Sequence, residues 1–110
     1  MTIELVAQDY AVLPTPTEVV TLKVRDTRLI SGTVENLDGL QTVDGTFMVA
    51  VWPGQTPGAS TLGDLAAIQP GEVRPFTVDC AMFDELTLSF TASGAGCDVR
   101  ISARPDRGRR

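Results

Sequence analysis

The chain has 110 residues, 43% of them apolar and 21% charged, which suits one globular domain and is too apolar for a disordered segment. At this length roughly two thirds of the unfolded surface is buried on folding, so neither a metal nor a disulfide is needed to stabilise the core. The net charge of −5 is uneven: residues 1–103 carry five bases against 13 acids, and residues 104–110 carry four arginines against one aspartate. An acidic body lacks the basic face of a nucleic-acid-binding domain, so no direct nucleic-acid partner is expected. No run approaches the ~20 apolar residues of a membrane span, and no membrane contact is expected. The opening MTIELVAQDY carries acids where a signal peptide has a basic start and a long apolar run. The expectation is a protein made and kept in a bacterial-type cytoplasm.

Residues 3–8, IELVAQ, read as a short strand, and Pro14-Thr15-Pro16-Thr17 sets an extended break after it. Residues 1–13 are thus either an edge strand of the chain's own sheet or an arm laid on a neighbouring subunit. Glu18–Arg25 alternates with Val20, Leu22 and Val24 inward, Asp26-Thr27 turns the chain, and Arg28–Asn36 returns with Ile30 and Val34 inward. Leu37-Asp38-Gly39-Leu40 reads as a loop with an Asp-Gly turn. Thr46–Trp52 is apolar on both faces and reads as a central strand covered on both sides.

The Pro/Gly-rich stretch Trp52–Gly58 is a loop. Ser60–Ile68 is the one helix candidate, one or two turns long, with Thr61 and Asp64 resembling an N-terminal cap and Pro70-Gly71 ending it. Glu72–Cys80 is a strand with Phe76, Val78 and Cys80 inward. Leu86, Leu88 and Phe90 alternate with Thr87, Ser89 and Thr91; after Ser93-Gly94-Ala95-Gly96, Cys97, Val99 and Ile101 alternate with Asp98, Arg100 and Ser102. This closing stretch reads as a β-hairpin whose glycines supply positive φ. Seven or eight short strands with turns between them predict an all-β, antiparallel sandwich or jelly roll with at most one short helix.

Chemistry is sparse. There is no histidine, so the commonest general base and every Ser-His or Cys-His pair are missing. Cys80 and Cys97 fall in phase with apolar faces; they read as core thiols, with a disulfide between them as the alternative. Two thiols without histidine do not complete a zinc shell, and the acid pairs Asp84-Glu85 and Asp38/Asp44 lack calcium-loop spacing. No cofactor, metal or catalytic residue is expected. Trp52, flanked by Pro53 and Gly54, either plugs the end of the core, anchors a protein contact or stacks on a sugar. Serine and threonine on the outward faces suit a flat surface that packs on other proteins or is simply solvated.

The pattern FDELTLSFTASGAGCDVRISARP, with the central TFMVAVWPGQTPG, resembles the closing strands of small β-sandwich structural proteins in tailed bacteriophages and gene transfer agents. The resemblance implies a virion structural protein, most simply a capsid decoration (cement) protein that stabilises the head by protein–protein contacts. It would be assembled in the bacterial host cytoplasm on the major capsid protein or other virion proteins, and would self-associate. Its alternatives are a tail or fibre component, or a carbohydrate- or receptor-binding module. Under this reading residues 1–13 are an arm or edge strand, 14–104 the sandwich and 105–110 a basic tail. The contact residues are Ile3, Leu5, Trp52, Arg104, Arg107, Arg109 and Arg110.

Overall fold

The computed structural model describes residues 5–25 and 27–106, and the side chains of these apart from 59–64 and 106. Eight strands form: β1 Leu5–Val12, β2 Thr17–Lys23, β3 Leu29–Asn36, β4 Val43–Ala50, β5 Gly58–Ile68, β6 Val73–Asp79, β7 Glu85–Ala92 and β8 Cys97–Asp106. They make two four-stranded sheets, β1-β8-β3-β6 and β2-β7-β4-β5, with neighbouring strands antiparallel. Two such sheets, exchanging successive strands, form a jelly roll.

The inward residues of each strand recur every second position, and the two sheets close on one another through them. Val12, Ile30, Val34, Val99 and Ile101 from the first sheet meet Val43, Phe47, Leu86, Leu88 and Phe90 from the second, all essentially inaccessible to solvent. Phe47 and Phe76 bridge the sheets with ring centroids 5.3 Å apart, tilted by 59°. Cys80 and Cys97 are buried and free, so the core-thiol reading holds and the disulfide does not form.

Four expectations are corrected. The closing stretch is not a hairpin: β7 lies between β2 and β4, whereas β8 lies between β1 and β3 in the other sheet. Residues 93–96 carry the chain across, and they are tied to the β3–β4 loop by Ser93 N–H to Thr42 O (3.0 Å) and Gly94 N–H to Gln41 Oε1 (2.8 Å). Among the described residues the glycines with positive φ are Gly54 and Gly71, not those of this crossing. Alternation states which way a side chain points and is silent on which strand lies beside it.

The helix expected at Ser60–Ile68 is part of β5. The register runs Val43 to Ile68 and then Gly45 to Leu65, so β5 spends one extra residue there, and Ala67 adopts φ +52° in the bulge. Asp44 fixes it by accepting the Ala67 N–H at 2.7 Å. The bulge sets buried Leu65 and Ile68 three apart, which imitates a helical period. The cap assigned to Thr61 and Asp64 involves side chains outside those described.

β4 is interior to its sheet but its second face is covered only in part: Asp44 and Thr46 are exposed, Met48 is half-buried and Ala50 buried, and the strand ends at Ala50, leaving Val51 and Trp52 in the following loop. Pro105 and Asp106 pair with Ile30 and Leu29 as the end of β8, so the strand runs past 104. Residues 5–12 form an edge strand on the chain's own sheet, paired with β8.

The strand directions give the sandwich two ends. The β1–β2, β3–β4, β5–β6 and β7–β8 connections lie at one, here the leucine pole, where Ala92 N–H donates to Leu13 O and Leu37 N–H to Asp98 O. The β2–β3, β4–β5 and β6–β7 connections lie at the other, the tryptophan pole, where Asp84 N–H donates to Ala50 O at 2.7 Å.

Candidate interaction surfaces

At the tryptophan pole, Ala50 ends β4 on a bond from Asp84, so the β4–β5 and β6–β7 loops emerge side by side. Gln55 shapes the first loop: its Oε1 accepts the Val51 N–H at 2.5 Å and its own N–H donates to Trp52 O at 3.2 Å. In the second, the Phe83 N–H to Cys80 O bond closes a tight turn with Met82 at its outer edge. Trp52 is therefore 60% exposed and Met82 74% exposed, with Val51 beside them. Trp52 does not plug the core, which is the correction of that reading: the β-sheet ends at Ala50, and the indole lies beyond it. Lys23 and Arg25 stand next to this loop, ion-paired with Glu85 and with the buried Asp84 respectively, and together with Pro53 they line a shallow hollow.

A second feature lies where β1 bulges beside β8. The register passes from Leu5–Ala103 to Gln8–Ile101, and Ala7 takes φ +50° with its N–H held by Ser102 Oγ at 2.9 Å. Beside the bulge is an open groove of about 420 Å³, lined by Leu5, Val6, Ser31, Thr33, Ser102 and Arg104 among others. Arg104 is exposed and makes no ion pair among the described residues. Two expected contact residues, Leu5 and Arg104, are thereby brought to one groove, and Trp52 is not part of it. Ile3, Arg107, Arg109 and Arg110 lie outside the described residues.

The leucine pole holds residues that sequence reasoning passed over. Leu13 and Leu37 line a groove of about 330 Å³ with Asp38, Asp98 and Cys97, and Leu40 beyond it is 92% exposed. The signal was available: Leu37 and Leu40 flank an Asp-Gly loop, where an apolar side chain has no core to enter. Asp38 caps that loop by accepting the Leu40 and Gln41 N–H groups at 2.8 and 2.7 Å, and these bonds hold its carboxyl below the usual range.

The outward hydroxyl faces are partly covered by their own neighbours. Thr87 and Ser89 are buried, and Thr87 shares a 2.9 Å hydrogen bond with Thr21. Among the described residues no three metal-ligating side chains cluster. Burial pushes the Cys80 thiol up to about 11, with nearby Asp79 adding to the shift, and leaves it protonated and poorly nucleophilic.

No protein-family model matches the chain, and no curated protein sequence matches it. Solved structures do. The VP2 subviral particle of infectious bursal disease virus is similar over 94% of this chain with TM-score 0.56 and 13% identity. The SPBc2 prophage-derived protein YomS matches 92% of this chain and 97% of its own, with TM-score 0.51 and 10% identity. A protein of Bacillus endospore appendages, described as forming a novel family of disulfide-linked pili, matches 98% of this chain and 92% of its own, with TM-score 0.53 and 20% identity. This chain spans about 30% of the length of the VP2 chain and nearly the whole of the other two. At these identities the likeness is one of fold, and the fold is an eight-stranded jelly roll.

Proposed function

We propose that the protein is a non-enzymatic structural component of a bacteriophage-type virion, and specifically a decoration protein bound to the major capsid protein in the assembled head. The observation that carries this reading is the jelly roll itself, complete in one short chain and shared with a viral capsid protein and with a prophage protein of almost the same extent. Exposed apolar side chains at both poles and the Leu5/Arg104 groove supply contact surface. Binding of this kind rests on a few buried anchors and close packing. The groove beside β1 and β8 is the surface assigned to the shell, with Arg104, which makes no ion pair among the described residues, as its cation.

Co-sedimentation with shells of candidate major capsid proteins tests the reading, read together with the temperature at which the shells come apart. The expected result is saturable binding at a fixed ratio, with more heat-resistant shells, both weakened by Arg104→Glu. A protein that pellets with no shell, and whose Trp52 emission shifts on adding a saccharide, would be a carbohydrate-binding module instead. The endospore-appendage likeness favours a fibre or appendage subunit as the second reading. Disulfide linkage through Cys80 would require unfolding, because that thiol is wholly buried.

A further inference from the structure

The two poles are complementary to each other. Among the described residues, Glu18, Asp38, Asp44 and Asp98 form no ion pair and all lie toward the leucine pole. Among the described residues, Lys23, Arg25, Arg28 and Arg104 all lie toward the tryptophan pole, Lys23 and Arg25 paired there with Glu85 and Asp84 and Arg28 and Arg104 without an ion pair, and Asp79 is the unpaired acid at that end. The domain is therefore polarised along its strands, negative at one end and more positive at the other. The apolar groups follow the same axis. Trp52 and Met82 protrude at the more positive pole, and a groove walled by Leu13 and Leu37 is edged by Asp38 and Asp98 at the acidic one. Its volume of about 330 Å³ is at the lower end of the range for ligand pockets, the scale of a single large side chain. The acidic surroundings are felt locally, since Asp38 and Asp98 raise the pKa of Cys97 after burial has done so.

We infer that copies of this chain associate head to tail, the Trp52 loop of one seated in the Leu13/Leu37 groove of the next, with its flanking Lys23 and Arg25 facing Asp38 and Asp98. Two different surfaces meet in such a contact, so it repeats into a closed ring or an open filament rather than stopping at a symmetric pair. Each copy buries an aromatic anchor that would otherwise stay in water, and the opposed charges set the orientation. This goes beyond the structural role proposed above and is separable from it. A protein that decorates shells as a lone monomer would overturn the contact and leave that role intact.

The experiment uses two variants of the full chain with opposite dead poles, checked for native far-UV circular dichroism. Trp52→Ala removes the anchor and keeps the groove. Leu13→Lys with Asp98→Lys spoils the groove and keeps the anchor; both altered side chains are exposed. Sedimentation velocity of the unaltered protein at about 100 µM should show species larger than a monomer that diminish at high salt. Each variant alone should associate about tenfold more weakly or worse. An equal mixture of the two should regain association but stop at twice the chain mass, because one good knob and one good groove remain per pair. A wild-type protein monomeric at that concentration would overturn the inference. So would a mixture as monomeric as its parts, or variants that each still assemble like wild type.

Discussion

Gly32 sits in β3 opposite Phe76 of β6 and Ala103 of β8, with its missing side chain pointing into the sandwich. A methyl built there would collide with the Ser102 carbonyl oxygen, and would meet Phe76 Cζ at 2.8 Å and Ala103 Cα at 2.9 Å. The ring could swing aside, but the other two atoms are backbone of a paired strand, and relief would require β8 to move off β3. Overpacking of this kind costs about 1–3 kcal/mol where side chains yield, and the rigid neighbours put Gly32→Ala at the top of that range, about 3 kcal/mol. In a domain this size that is about 12 °C of melting temperature, at about 4 °C per kcal/mol. Urea unfolding followed by far-UV circular dichroism measures it, with an unchanged m-value required for the comparison. Gly39→Ala is the control, since nothing lies within 4 Å of a methyl there; its effect should fall within about 0.5 kcal/mol. Adding Phe76→Leu to Gly32→Ala separates the two sources of strain. If that second change restored the Gly32→Ala protein fully, or if Gly32→Ala alone cost under about 1 kcal/mol, the backbone-contact argument would be refuted.

Asn36 is wholly buried and joins three elements, donating to Gln41 O at 2.7 Å and Ile68 O at 3.1 Å while accepting the Asp38 N–H at 2.9 Å. Asn36→Leu should cost about 3 kcal/mol in urea midpoint analysis, because three backbone groups lose their partner at once, the buried Ile68 carbonyl among them. Asp38 has a folded pKa below its ordinary 3.8, so its contribution is present above that value and is lost as pH falls through the folded one. Asp38→Asn should therefore lose less stability than wild type between about pH 5 and about pH 2.5, read from urea midpoints at each pH; an equal loss would contradict it. Cys80, pushed up from 9.0 to about 11, stabilises the fold below pH 9.0 and ceases to do so as pH rises toward 11. Stability should fall across that window by less in Cys80→Ala, and iodoacetamide at neutral pH should leave Cys80 unlabelled until urea unfolds the chain, as mass spectrometry would show.

The sandwich was legible because faces repeat locally. Ile30 and Val34, Phe76 and Val78, and Leu86, Leu88 and Phe90 all point inward as their alternation predicts, since a strand's own pleat decides it. Strand partners were not legible. The alternation of Leu86–Phe90 and Cys97–Ile101 is equally compatible with a hairpin or with membership of two sheets, and only packing of the whole chain chose the second. β5 misled for a related reason: one bulge at Ala67 changes the spacing of buried residues from two to three, and the Asp44 carboxylate that fixes it is 23 residues away.

The contact surfaces divide in the same way. Trp52 was visible as a lone indole before a Pro/Gly loop, but its exposure depends on β4 ending at Ala50. The groove joining Leu5 to Arg104, and the leucine pole with its acids, bring together residues far apart in the chain. By itself the sequence determined that this is an antiparallel β domain with an apolar inside face on each strand, because those properties reside in neighbouring residues. The jelly-roll order of its strands, the crossing at residues 93–96 and the opposed poles were decided only in the tertiary structure. They depend on which distant strands share hydrogen bonds, and local periodicity holds no record of that.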